Sequence, residues 1–500
     1  MQTDLLLLNV PRISLVYPPA GTSLLKGVVQ QQGYSCIVKD TNFELLNSIE
    51  NEDNFETITN YFTIPNAEIT PDCWAIIDKW YSELTEYILD LNPRFVGISV
   101  FTFECQRATQ ELCSRLRKCY TGEIIIGGAG LSTTGIATQI NDFGNKLKSD
   151  NLVDYFVRGE GEYALVDILN EATGPGINND NYVQIEDLNS LSFPDYDDVI
   201  DYKYHYAIGR TTLPVTTSRG CVRRCSFCDI HAFWKKYTYR SGENVAQEMV
   251  HHYEKYGVKD FFFTDSLING SLKSFRDLCR ILVDYYRENN LPERFFSWGG
   301  QWIVRTPKQL LPEDYALAAQ SGMNGLAMGI ESLSEQIRID MNKAFKNTDL
   351  DYTLEQFRLN NMNCYFLMIV GYPTEKQEHH LETMEQFTKY QGYAIDGTIF
   401  GVNLGGTLSI DEGSPLHQDS IHYGLSPTQD DTELFGLDWT SKDNPKLTLL
   451  QRINRRIELQ ELLMDLGYTV WNGDHQLKRL KASYERIKQN TYHFKDILHS

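Results

Sequence analysis

Three cysteines, Cys221, Cys225 and Cys228, fall within eight residues in the stretch SRGCVRRCSFCDIHAF. Thiolates so close in sequence can share a metal centre, because the thiolate form of cysteine is the metal ligand. Two readings follow. Structural zinc takes four ligands, and His231, three residues beyond Cys228, would complete a Cys3His set. Zinc knuckles, however, pair two separated ligand couples, and the second couple is missing. The alternative is a [4Fe–4S] cluster, which four cysteine thiolates normally hold. Three thiolates leave one iron open to a substrate or cofactor, which suits catalysis better than electron storage. Inert structural thiols are the least suited reading, since a loop at the solvent edge is a poor place for them.

Such a loop has to be positioned by the elements around it. The first part of the chain reads as short apolar strands at helix-sized intervals: DLLLLNV, CIVKD, RFVGISV, EIIIGGAG and YFVRGEGE. This alternation predicts a parallel sheet with helices on both faces, so residues 1–168 are expected to form a doubly wound, Rossmann-like domain. Ligands of such sheets bind at the carboxyl ends of the strands. Residues 169–206, dense in Gly, Pro, Asn and Asp, read as a linker. Over 207–405 about six βα units follow, beginning with LPVTTSRGC, and predict a full or partial parallel barrel. The cysteines follow its first strand, at the face where barrel active sites lie. Trp234, Trp298 and Trp302 are candidate lining residues there. Residues 406–500 read as a mostly helical C-terminal extension. The whole is an α/β chain.

Composition narrows the class. The 500 residues carry a formal net charge of −21, whereas general nucleic-acid binders are more often basic, so nucleic acid is not an expected partner. No run of about 18 apolar residues predicts a membrane span. Asp4 stands where an export signal would be positive, and ten scattered cysteines make no disulfide framework; the expected setting is a reducing cytoplasm.

The pattern C-x3-C-x2-C, with an aromatic before the last cysteine and an SRG turn before the first, resembles the signature of the radical SAM superfamily. The resemblance implies that Cys221, Cys225 and Cys228 hold a [4Fe–4S] cluster whose open iron binds S-adenosylmethionine. One electron then cleaves the cofactor to methionine and a 5′-deoxyadenosyl radical, which abstracts hydrogen from a substrate. By the same resemblance Phe227 lies near the adenine. Asp265, in FFFTDS, stands where Gly-Gly-Glu is common. Gly329, Glu331 and Ser332 of GIES lie near the ribose and methionine, and Gly371 and Pro373 of VGYPTE lie near the adenine. GSPL, residues 413–416, resembles a segment that closes the catalytic domain.

A doubly wound domain before such a barrel resembles the cobalamin-binding radical SAM group. The implied cobalamin contacts are Ser99, Thr102, Gly127, Gly128, Gly130, Ser132, Thr133 and Gly159. The D-x-H-x-x-G motif is absent, and no histidine precedes His205, so this domain can supply no histidine to the cobalt.

The expected function is therefore a radical SAM enzyme, a cobalamin-dependent methyltransferase whose substrate the sequence does not name. Its expected electron donor is a one-electron reductase such as flavodoxin or ferredoxin. A corrin-free radical SAM enzyme, with the first domain as scaffold, is the alternative. A non-enzymatic iron–sulfur or zinc protein is the third. No second cysteine cluster is present, which argues against a second iron–sulfur centre.

Overall fold

The computed structural model describes residues 2–11, 14–64, 67–131, 142–206, 208–411, 413–427, 439–471 and 473–489. The chain divides into two compact units: Met1–Val215 with Glu248–Asp260, and Thr216–Gln247 with Phe261–Ser500.

The first unit is built on five parallel strands: β1 (Leu5–Asn9), β2 (Cys36–Asp40), β3 (Phe95–Ser99), β4 (Glu123–Gly127) and β5 (Tyr155–Val157). Leu5 to Leu8 are four consecutive leucines, none more than 3% exposed. A strand covered by helices on both faces needs apolar residues on both, and this run supplies them. The strand order is β2-β1-β3-β4-β5, so the winding reverses between β1 and β3. In register, Asn9 pairs with Ser99, Ser99 with Gly127 and Gly127 with Val157. The carboxyl ends of four strands therefore lie side by side at the switch point, where doubly wound sheets bind ligands.

The Gly- and Asn-rich stretch that follows is bound into this unit. Ile177 bridges Val157, and Val183 bridges Gly159. Lys26, from the helix Ala20–Gln31, is buried between Asp195 at 2.8 Å and Asp198 at 2.6 Å. The unit's last strand is β6 (Thr212–Val215).

In the second unit, β7 (Ser218–Arg219) pairs antiparallel with β8 (Thr238–Tyr239) and brackets the cysteine loop. A βα series follows with β9 (Asp260–Phe263), β10 (Ser297–Gly299), β11 (Gln301–Trp302), β12 (Leu326–Glu331), β13 (Cys364–Met368) and β14 (Ile399–Asn403). β11 to β14 form one sheet in sequence order, all parallel. Its two faces differ. Trp302, Met328, Phe366 and Val402 share one face and are at most 1% exposed, packed under helices. Gln301, Ala327, Tyr365 and Gly401 form one tier of the opposite face, and Gly329, Leu367 and Asn403 the next. On that face Gln301 is exposed, and Tyr365, Leu367 and Asn403 are half-buried. Trp298 and Trp302, candidates for lining the barrel, are instead core residues: both rings pack against Phe275 of the helix Leu272–Glu288.

The C-terminal region is helical, as expected, with the long helices Leu449–Asp465 and Gly473–Lys488. It also adds β15 (Leu425–Pro427) and β16 (Trp439–Ser441), an antiparallel pair. Val470 bridges Val402 in parallel, so the segment before the last helix extends the sheet beyond β14.

Candidate active site

The cysteine loop is tied down on every side. Gly220, just before Cys221, has φ +79°, and a Cβ there would stand 2.8 Å from the Lys236 carbonyl oxygen. Only glycine turns the chain there without strain. Asp265, fully buried beyond β9, accepts hydrogen bonds from the Thr217 N–H and hydroxyl at 3.0 Å and from the Ser218 N–H. Its carboxylate thus anchors the chain that leads into the loop. Burial lifts its pKa to about 6, against the pull of these donors.

Within the loop Ser226 is 2% exposed and meets three separate segments. Its N–H donates to the Met341 carbonyl at 3.0 Å, and its carbonyl accepts from the Leu416 N–H at 2.8 Å. Its hydroxyl lies 2.8 Å from the Tyr372 hydroxyl, which itself donates to the Asp340 carbonyl at 2.9 Å. Asn342 adds a bond from its side-chain amide to the Arg224 carbonyl, 2.7 Å. The GSPL segment closes in from another side: Gly413 has φ +86°, and a Cβ there would be 2.7 Å from the Ala232 Cβ.

The three thiols are half-buried. Burial raises the pKa of each, that of Cys228 to about 12, and each feels neighbouring charge. Lys343 and Arg223 oppose the rise at Cys221 and Cys225, and Arg305 does so at Cys221. A nearby cation favours the thiolate form of a cysteine.

Glu331 ends β12 with φ +65°, at a register shift between Gly329 and Glu331. A glutamate in the left-handed region is uncommon, and bulges recur beside active sites. The geometry swings its carboxylate over Gly329: a Cβ on Gly329 would be 2.8 Å from Glu331 Oε1 and 3.2 Å from Lys343 Nζ. Glu331 and Lys343 form an ion pair at 3.2 Å, each side chain 12% exposed. Lys343 Nζ also lies 5.7 Å from the centre of the Phe227 ring. The structure therefore gathers Cys225, Phe227, Gly329, Glu331 and Lys343 at one place.

Other candidates sit differently. The Ser332 hydroxyl accepts from the Ser334 N–H at 3.2 Å, and its carbonyl accepts from Arg338 at 2.6 Å, so it serves the start of the helix Glu335–Asp340. Gly371 has φ +85°, with the Arg452 side chain 2.5 Å from where a Cβ would be. Pro373 is buried. Glu375, beside them, is buried against Arg455 at 2.9 Å and accepts from the Gly371 N–H at 3.3 Å.

At the switch point of the first unit, Ser99 is half-buried and Phe101, just after β3, is 62% exposed. The neighbouring glycines have packing reasons of their own. Gly128 (φ +118°) would place a Cβ 2.5 Å from the Val100 carbonyl oxygen, and Gly130 would collide with the Thr102 carbonyl. Gly159 would collide with Val183, whereas Gly127 leaves room, its nearest neighbour being Val157 at 3.7 Å. Ser132 and Thr133 lie outside the described residues. Sequence reasoning missed Ser226, Lys343 and Phe101. For the first two no local signal existed, but Phe101 was visible as an aromatic just past a strand end.

His231 Nε2 lies 2.7 Å from the Arg223 carbonyl oxygen, within the cysteine loop. An iron–sulfur cluster takes one thiolate per corner, and Cys221, Cys225 and Cys228 stand on this one loop.

Residues 215–387 match the radical SAM superfamily. The anaerobic magnesium-protoporphyrin IX monomethyl ester cyclase of Synechocystis is 22% identical over 264 residues, half of this chain and 51% of that protein. The cytidylyl-2-hydroxyethylphosphonate methyltransferase of Streptomyces wedmorensis is 27% identical over 180 residues, 36% of this chain and 32% of that protein. The chain thus spans about half, or less, of the curated relatives it matches. In fold it is similar to the radical S-adenosylmethionine methyltransferase TsrM from Kitasatospora setae, solved with cobalamin and a [4Fe–4S] cluster. The TM-score is 0.64 at 15% identity, over 98% of this chain and all of that one. The cysteine loop and most of the βα series behind it fall within the residues that match the radical SAM superfamily.

Proposed function

We propose that this protein is a radical SAM enzyme that transfers a methyl group to a substrate carbon or phosphorus with the help of cobalamin. The observation that carries the reading is the constellation at the end of β12: Glu331, Lys343 and Phe227 beside Cys225, on a loop fixed by Ser226. Cys221, Cys225 and Cys228 would hold the [4Fe–4S] cluster. S-adenosylmethionine carries an amino and a carboxylate group, and Glu331 and Lys343 offer opposite charges to them. Phe227 offers a ring face to the adenine. When bound, cluster and cofactor supply a 5′-deoxyadenosyl radical on receipt of one electron, from a donor of the flavodoxin or ferredoxin kind. The protein's part is to orient, to balance charge and to keep the loop rigid. Ser226 and Asp265 do the last.

Cobalamin is supported by the strand order of the first unit and by the fold likeness over nearly the whole chain. Ser99, Phe101 and Gly127 present a half-open edge where a flat ring system would sit. The corrin-free reading keeps a specific observation in its favour: Gly128, Gly130 and Gly159 already have their own backbone against them.

The test is anaerobic reconstitution with iron and sulfide, then incubation with S-adenosylmethionine, hydroxocobalamin and dithionite, with products read by mass spectrometry. The reading predicts 5′-deoxyadenosine that is lost in Cys225→Ala, and corrin retained after desalting. Deoxyadenosine without retained corrin makes the first unit a scaffold. Absence of deoxyadenosine from folded, iron-loaded protein defeats the reading.

A further inference from the structure

The open face of the β11–β14 sheet is not packed like a core. Where the helix-covered face buries its side chains completely, this one leaves Gln301 exposed and Tyr365, Leu367 and Asn403 half-buried. Glycine or alanine occupies it at Ala327, Gly329 and Gly401. Large side chains normally fill such a space in a closed barrel. Here the residues are small, with Trp471 over Gly401 and the Glu331 and Lys343 side chains over Gly329.

Three aromatic rings stand at the end of this face where its strands begin. Tyr365 lies 4.5 Å from Trp471, tilted at 40°, and 5.4 Å edge-on from Phe400. Their presence depends on two local devices. The register shift between Cys364 and Tyr365 makes Phe400 an extra residue in β14, which turns it to the side of Tyr365. The segment carrying Trp471 is held to β14 by the Val402 N–H to Thr469 carbonyl bond of 2.8 Å, and a Cβ on Gly401 would stand 3.4 Å from the indole nitrogen. Phe400 and Trp471 nevertheless remain 37% and 39% exposed. Rings placed with this care yet left half open offer both faces and edges to a further ring.

The trio also has a fixed relation to the chemistry. Tyr365 pairs with Ala327, two residues before Gly329, over which the Glu331 carboxylate hangs. At strand rise the two tiers are about 7 Å apart on the same face. Asn403, one tier up in β14, adds a polar group level with Gly329.

We infer that Tyr365, Phe400 and Trp471 form the ring-binding wall of the substrate pocket, and that the substrate carries a planar aromatic or heteroaromatic ring. This rests on the radical SAM reading for what happens to the ring once bound. The geometry of the wall stands apart from that reading.

The experiment measures indole binding to the full-length, cluster-reconstituted protein by equilibrium dialysis, with cyclohexylmethanol as the non-aromatic comparison. Deoxyadenosine formation is measured on the same preparations. Expected is millimolar or tighter binding of indole, weaker binding of cyclohexylmethanol, and a loss of about tenfold for indole in Trp471→Leu and in Phe400→Ala. Trp471→Phe, which keeps a ring, should retain most of the affinity. Deoxyadenosine from wild type together with indole binding unchanged in Trp471→Leu and Phe400→Ala overturns the ring wall and leaves the enzyme class standing. No indole binding at millimolar concentration does the same. Indole binding that behaves as expected in a protein that never yields deoxyadenosine overturns the assignment of the wall to a radical substrate.

Discussion

At the scale of single residues, Asp265 shows how a side chain serves a centre without touching it. A fully buried carboxylate costs free energy unless donors surround it, and Thr217 and Ser218 supply them. Asparagine would turn an amide N–H₂ toward two backbone N–H donors. Asp265→Asn is expected to cost about 1–3 kcal/mol in chemical denaturation and to lower iron retained after desalting. The pH dependence has a definite sign. With the folded pKa near 6, above the ordinary value of 3.8, the folded state holds the proton longer than the unfolded chain. The stability difference between wild type and Asp265→Asn should therefore fall as pH rises from about 4 to about 6 and level off above. A difference that is flat or rises through that window contradicts the burial account. The cysteine spacing is a local pattern that the sequence shows directly. The role of Asp265 was not: its partners lie 47 and 48 residues away. The same holds for Ser226, whose Tyr372 partner is 146 residues away.

At the scale of elements, the C-terminal helix Leu449–Asp465 is part of the catalytic unit. It buries Arg452, Arg455 and Arg456. Arg452 donates to the Leu408 and Trp439 carbonyls at 3.2 Å and lies 3.8 Å from the Trp439 ring centre, while its stem fills the side of Gly371. Arg455 pairs with Glu375 and also donates to its carbonyl at 2.7 Å. Through Gly371 and Tyr372 this grip reaches the cysteine loop. Removing one partner of a buried pair is costly, whereas removing both is mild. Arg455→Met should destabilise by about 3–5 kcal/mol in denaturant unfolding, and Arg455→Met with Glu375→Gln should recover most of it. Equal losses in the single and double variants would mean the pair is not coupled. The strands were legible from their apolar runs, and so was the amphipathic C-terminal helix. The burial of its arginines was not legible, because charge on a helix gives no sign that carbonyls and a carboxylate await it inside. The helix after β13 starts at Gln377, with the Lys376 N–H donating to His379 Nδ1 at 3.2 Å. Thr374 turns away to bond Asp340.

At the scale of the whole molecule, both units follow the same rule: parallel strands bring loops from distant parts of the sequence to one edge. The rule was readable from the alternation of strand and helix. The filling of that edge was not readable. Glycines that read as ligand contacts, Gly128 and Gly130, are needed for the close approach of Val100 and Thr102. The half-exposed rings of Phe400 and Trp471 depend on a register shift and on an added strand step that no periodicity announces. Among the described residues no helix is long and apolar enough to cross a membrane.

The central claim is that Cys221, Cys225 and Cys228 hold a [4Fe–4S] cluster with one iron open to S-adenosylmethionine. Electron paramagnetic resonance of the reconstituted, dithionite-reduced protein tests it most directly. The account predicts a reduced-cluster signal that changes when S-adenosylmethionine is added and is lost in Cys225→Ala. A folded protein that takes up zinc in place of iron, or a cluster signal indifferent to S-adenosylmethionine, would contradict it.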